Sequence, residues 1–184
     1  MELVKEVGGA KALAGVAAAA RSREEAMRDA GSRLLGEWMD TTAAPVLLDL
    51  AKTAPENKYK VRALRGYLRI ARQFNVPLEE RIAMCEAALK IAQRPDEKKL
   101  ALQVLGQHTS TKGLALAVGC LSDPALRGDA GTAATAIAER IFKKEPAAVV
   151  DAMKRVIAAG GDPQVVARAK AVQKQAEQRL APRK

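Results

Sequence analysis

Five cations recur along one stretch of the chain, Lys58, Arg62, Arg65, Arg69 and Arg72, at spacings of four, three, four and three residues. On an α-helix, at ~100° per residue, they fall within an arc of about 80°. Val61, Leu64, Tyr67, Leu68, Ile70, Ala71 and Phe74 occupy the wider opposite arc. The stretch therefore reads as an amphipathic helix with an almost wholly cationic wet face. A solvated face ordinarily mixes signs, and like charges four apart repel by a few tenths of a kcal/mol each. Two readings follow. The row is a solvated face whose stems cover apolar neighbours, or it is a site for an anionic partner. Residues 57–73 hold six Lys and Arg and no acid, whereas residues 1–56 hold seven against nine. Most of the net charge of +10 thus sits on one helix. If the row serves an anionic partner, replacing Arg62, Arg65 and Arg69 together with Gln should hardly change stability, since exposed substitutions usually stay within about 0.5 kcal/mol each.

Other reactive side chains are few. The single His108 closes a helical pattern, where it can face free carbonyls. Cys85 and Cys120 lie inside apolar helical patterns and read as reduced, mostly buried small hydrophobes. One histidine and two cysteines cannot build the usual four-ligand zinc site. Glu24-Glu25 and Glu79-Glu80 fall in first turns, where carboxylates suit the helix dipole. There is no phosphate-binding glycine loop and no G-x-S-x-G elbow; Gly8-Gly9 and Gly160-Gly161 read as helix ends. The expectation is a non-enzymatic chain with no cofactor and no metal. Aromatics make up only 3% of the residues, which disfavours single-strand recognition by base stacking; contacts to duplex phosphates need only Lys and Arg. Trp38 reads as a packing plug rather than a ligand contact.

These residues must be positioned by helices. Apolar residues recur at three and four residue spacings, and no segment alternates. Breakers at Pro45, Pro55, Pro77, Pro95, Pro124, Pro146 and Gly160-Gly161-Asp162-Pro163 divide the pattern. Ser22, with Glu25 three residues on, has the form of a capping box. The spacing predicts ten helices, over 3–20, 24–38, 43–53, 57–73, 78–93, 96–108, 111–121, 124–143, 146–159 and 163–180. Paired in order they give five hairpins, 3–38, 43–73, 78–108, 111–143 and 146–180, with a period of about 33 to 40 residues. Leu35-Gly36-Glu37-Trp38 and Leu105-Gly106-Gln107-His108 lie 70 positions apart, two periods. Leu35, Leu64, Leu68, Leu105 and Ile137 are expected in the core. A chain of 184 residues buries roughly 70% of its unfolded surface and needs no staple, so one domain over 1–184 is expected.

Two-helix units bury their apolar faces only by stacking. With Val61-Arg62-Ala63-Leu64 at the start of a second helix, and Asp123-Pro124 and Asp162-Pro163 at turns, the chain resembles the HEAT-repeat family. The first turn, Arg21-Ser22-Arg23, departs from that pattern. The resemblance implies an all-α, right-handed α-solenoid of about five stacked two-helix repeats, whose second helices line the concave binding surface. It would place Lys58, Arg62, Arg65, Arg69 and Arg72 there. The segments LLGEWMDTTAAPVLLDLAK, VRALRGYLRIAR and RPDEKKLALQVLG also resemble a HEAT-type module of large multidomain bacterial proteins, which implies an accessory rather than a catalytic role. Alkylpurine DNA glycosylases use a similar solenoid, but Trp38, Tyr59, Tyr67, Phe74 and Phe142 are scattered over several helices, and no catalytic acid is assigned beside them. The leading expectation is binding of another protein or an acidic segment; the alternative is sequence-independent binding of nucleic acid or another polyanion through the row. No stretch reaches the ~20 apolar residues of a membrane span. The Ala-rich start, with Glu2, Lys5 and Glu6, reads as an amphipathic helix rather than a signal peptide. Compartment and oligomeric state are left open.

Overall fold

In a computed structural model of the chain, residues 9–181 are described. They form ten α-helices and no strand: α1 (Ala10–Ala20), α2 (Glu25–Gly36), α3 (Ala44–Thr53), α4 (Asn57–Gln73), α5 (Leu78–Ile91), α6 (Pro95–Gly106), α7 (Thr111–Gly119), α8 (Arg127–Ile141), α9 (Pro146–Ala159) and α10 (Pro163–Leu180). Short 3₁₀ turns precede α3 (Thr41–Ala43) and follow α7 (Cys120–Ser122). The part of the first expected helix over residues 3–8, with Lys5 and Glu6, lies outside the described residues, as does Glu2.

Proline and capping side chains set most helix starts. Pro45, Pro95, Pro146 and Pro163 fall in the first two positions of α3, α6, α9 and α10, where a missing N–H costs no helical bond. Asp162 accepts from the Gln164 N–H at 2.7 Å, and Ser110 accepts from the Gly113 N–H at 3.1 Å. Gly160 and Gly161, at φ 70° and 112°, end α9 in backbone that favours glycine. Two starts differ from expectation. Ser22 accepts from the Glu24 N–H at 3.1 Å, so it builds a local turn rather than a capping box, and α2 begins at Glu25. Asp123 takes the Ala125 N–H on its side chain and the Leu126 and Arg127 N–H groups on its carbonyl. That turn delays α8 to Arg127, three residues after the expected start.

The helices gather into two compact units, residues 1–93 and 94–184. The boundary falls inside the hairpin expected over 78–108. In the first unit α1 packs on α2, α3 on α4, α2 directly on α4, and α4 on α5. In the second, α7 packs on α8 and α9 on α10, while α8 also meets α6, α9 and α10. Helix α8 can take so many neighbours because its buried side is mostly Ala and Gly. A Cβ on Gly106 of α6 would stand 3.2 Å from the Ala133 Cα. The expected core residues are all buried, Leu35, Leu105 and Ile137 fully, Leu64 and Leu68 nearly so. Trp38, just past α2, is 1% exposed and packs as a plug. Cys85 is buried and Cys120 half-buried, and both are free thiols.

Candidate functional site

The cationic row runs along α4 as expected, and α2 lies beside it. Thirty-three residues earlier in sequence, α2 supplies acids at matching positions. Lys58 Nζ meets Glu25 Oε1 at 2.7 Å and Glu56 Oε2 at 3.3 Å. Arg62 Nη1 meets Asp29 Oδ1 at 2.9 Å and the Asp29 carbonyl at 3.2 Å, and also donates to Ser32 Oγ. Glu25–Lys58 and Asp29–Arg62 are each separated by 33 residues. Beneath them the Tyr59 ring is 2% exposed. Lys58 Nζ lies 4.8 Å from its centroid, and the Arg28 and Arg62 guanidiniums at 5.2 and 5.8 Å. Arg28 is in turn held by Glu56 at 2.9 Å.

These contacts set the local titration. Hydrogen bonding and attraction from Lys58 hold the Glu25 carboxyl below its ordinary range, and hydrogen bonds from Arg33 and then Arg62 do the same for Asp29. Lys58, bonded to Glu25, holds its proton more tightly than a free lysine.

Further along, Arg69 Nε donates to the Gly36 carbonyl at 3.1 Å and Arg69 Nη2 to the Trp38 carbonyl. Those are carbonyls at the C-terminal end of α2, which a cation satisfies well. The guanidinium also lies 5.4 Å from the Phe74 ring. Burial lowers its pKa below that of a free arginine. Arg65 and Arg72 are exposed. Arg72 makes no ion pair with the described residues, unlike Lys58 and Arg62.

The picture of a uniformly solvated row is therefore corrected. Arg62 and Arg69 are half-buried and bonded to α2, because α2 presents acids and terminal carbonyls at the register where α4 presents cations. Their substitution should cost stability, contrary to the expectation for a wet face.

No family model, curated protein or solved structure matches the chain. Chemistry must be read from the side chains. Among the described residues no group of three or more His, Cys, Asp and Glu could hold a metal ion, and no helix is long and apolar enough to cross a membrane. His108 is half-buried just beyond α6.

Three features escaped sequence reasoning. Glu97, 1% exposed in the first turn of α6, faces Arg94 Nε at 3.6 Å, and its place at a helix N-terminus accounts for a buried carboxylate. A groove of about 510 Å³ carries Gln103, Gln107, Asp129 and Thr132 along α6 and α8. A second groove, of about 570 Å³, is lined by Arg127 and Arg155. A 3.6-residue pattern aligns Gln103 of α6 with Gln107 just past its end; nothing local in the sequence brings Arg127 to Arg155.

Proposed function

We propose that the chain is a non-enzymatic scaffold of HEAT-like two-helix repeats, stacked as an α-solenoid, that binds another protein. One observation carries the reading: α2 and α4, the second helices of consecutive hairpins, pack side by side with bonds repeating at 33 residues. Such stacking of equivalent helices is how repeat proteins build a shared core and leave one extended face for a partner. The intramolecular engagement of Lys58, Arg62 and Arg69 counts against the polyanion alternative, since a phosphate would have to displace bonds to Glu25, Asp29 and the Gly36 carbonyl that these cations already make.

Two measurements on the full chain test this. Binding of a labelled random-sequence DNA duplex, titrated against salt, should give a log–log slope clearly shallower than the roughly −4 of a row that engages four or five phosphates. Selection from a displayed random-peptide library should enrich a sequence class. A duplex slope near −4 together with no enrichment would overturn the scaffold reading in favour of polyanion binding.

A further inference from the structure

Cations without an acidic partner are the place to look for a ligand, and two of them line one groove. It lies within the unit 94–184, which carries sixteen Lys and Arg against nine Asp and Glu. Arg127 opens α8, and Arg155 belongs to the last turns of α9. Between them Val118, Leu121, Ala158 and Ala159 line a depression of about 570 Å³, within the range of ligand pockets. No carboxylate lines it; the remaining polar residue is Ser122, which is exposed. Arg127 is half-buried, and its Nε points to the Leu121 carbonyl at 3.4 Å, which fixes the stem. Arg155 is exposed. Neither forms an ion pair among the described residues. Elsewhere in the unit Lys99 is paired with Asp129 and Arg168 with Glu139.

We infer that this groove binds an acidic peptide segment, a Glu or Asp carboxylate between Arg127 and Arg155 with a flanking apolar side chain on Val118 and Leu121. The inference rests on the protein-binding reading above and names the partner's chemistry. A guanidinium pair offers several N–H donors to a carboxylate, and charge-assisted bonds of this kind are the strong ones. Free phosphate satisfies the arginines but leaves the apolar floor uncovered. Two cations and no aromatic lining residue give a nucleic acid little to hold. An acidic segment with a neighbouring apolar residue meets both halves of the groove.

The probe is a capped hexapeptide alternating Leu and Glu, titrated into the full chain and followed by amide chemical shifts. A Leu/Gln hexapeptide and inorganic phosphate serve as controls. The Leu/Glu peptide should shift amides in 118–122, 127–129 and 155–159. Arg155→Gln should weaken it about tenfold, the loss of one charge-assisted bond, and Arg127→Gln should weaken it similarly. Lys174→Gln, an equal charge change on α10, should leave it unaltered, and the free-protein spectrum reports whether each variant is folded. Equal affinity for the Leu/Gln peptide, saturation of the same shifts by phosphate alone, or shifts confined to other residues would overturn the inference. If the displayed library enriches non-acidic sequences while the Leu/Glu peptide fails, the groove assignment falls and the scaffold reading stands. Failure of the library as well, with a steep duplex slope, removes both.

Discussion

Replacing Gly66 by Ala tests the α2–α4 crossing on which the repeat reading depends. In isolation the change favours the folded state, because Ala is better than Gly inside a helix by roughly 0.8–1 kcal/mol. At this position the new Cβ would stand 2.8 Å from the Gly36 Cα, 3.1 Å from the Gly36 carbonyl oxygen and 3.2 Å from Leu47 Cδ2. Two of those three atoms are backbone of α2 and cannot rotate away. Reaching ordinary carbon–carbon contact requires the helices to part by roughly 0.7 Å. Parting strains the Arg69–Gly36 and Arg62–Asp29 bonds, which span the same crossing. Overpacking typically costs about 1–3 kcal/mol, and a backbone contact belongs at the upper end, so the net expectation is destabilisation of about 2 kcal/mol. Gly15→Ala is the control: it is exposed in α1, with nothing within 4 Å of the new Cβ, and should stabilise by about 0.5–1 kcal/mol. Urea unfolding followed by circular dichroism reads both. A Gly66→Ala protein as stable as its parent, or two variants shifted in the same direction, would refute the close crossing.

Arg69→Gln should cost about 1–3 kcal/mol, because the Gly36 and Trp38 carbonyls lose their donor, whereas exposed Arg72→Gln should stay within about 0.5 kcal/mol; equal shifts in urea midpoint would contradict the assignment. Glu25 and Asp29 titrate below their ordinary values in the folded chain, so the unfolded chain takes up protons first. The stability they contribute is complete above about pH 4.5 and declines as pH falls through their depressed folded values; Asp29→Asn should flatten that decline in urea titrations at acid pH. Burial pushes the Cys85 thiol up to about 12 and raises Cys120 as well, and Cys85 is the more enclosed. In mildly alkaline buffer iodoacetamide should modify native Cys120 faster than Cys85, and peptide mass mapping of partly labelled protein would expose the reverse order.

Most helix starts were legible because the residues that make them act locally. Proline in a first turn, Asp162 over Gln164 and the Gly160-Gly161 pair need only their immediate neighbours. The misses at Ser22 and Asp123 are local as well, but there the side chain served an adjoining turn instead of the helix end. The fate of the cationic row is of another kind. Its arc on α4 followed from spacing alone, yet whether it faces water depends on α2. The signal lies upstream in the sequence, where Glu25 and Asp29 stand 33 residues before Lys58 and Arg62. The pairs cross from α2 to α4, so the charge of α4 alone does not show them. The Arg127–Arg155 groove had no such signal, because the 3₁₀ turn Cys120–Ser122 and the delayed start of α8 bring its walls together.

The recurrence of Leu-Gly at positions 35–36 and 105–106 joins these observations. Each glycine ends a helix, α2 or α6, and each lies close to a small residue of another helix, α4 or α8: Gly36 against Gly66, Gly106 against Ala133. Each glycine carbonyl accepts from an arginine farther along that other helix, Arg69 in one unit and Arg140 in the other. Small residues permit the close approach, the approach brings a guanidinium over the helix end, and the guanidinium satisfies a carbonyl that the helix leaves unpaired. Cations on these helices are thus in part structural, and positive charge alone is a poor guide to the ligand face. The discriminating property is a cation whose acid or carbonyl is missing from its own unit. Arg127 and Arg155 come closer to it than the centre of the α4 row, because Arg62 and Arg69 are held by α2, whereas one weak carbonyl contact at Arg127 is the sole bond found in that pair.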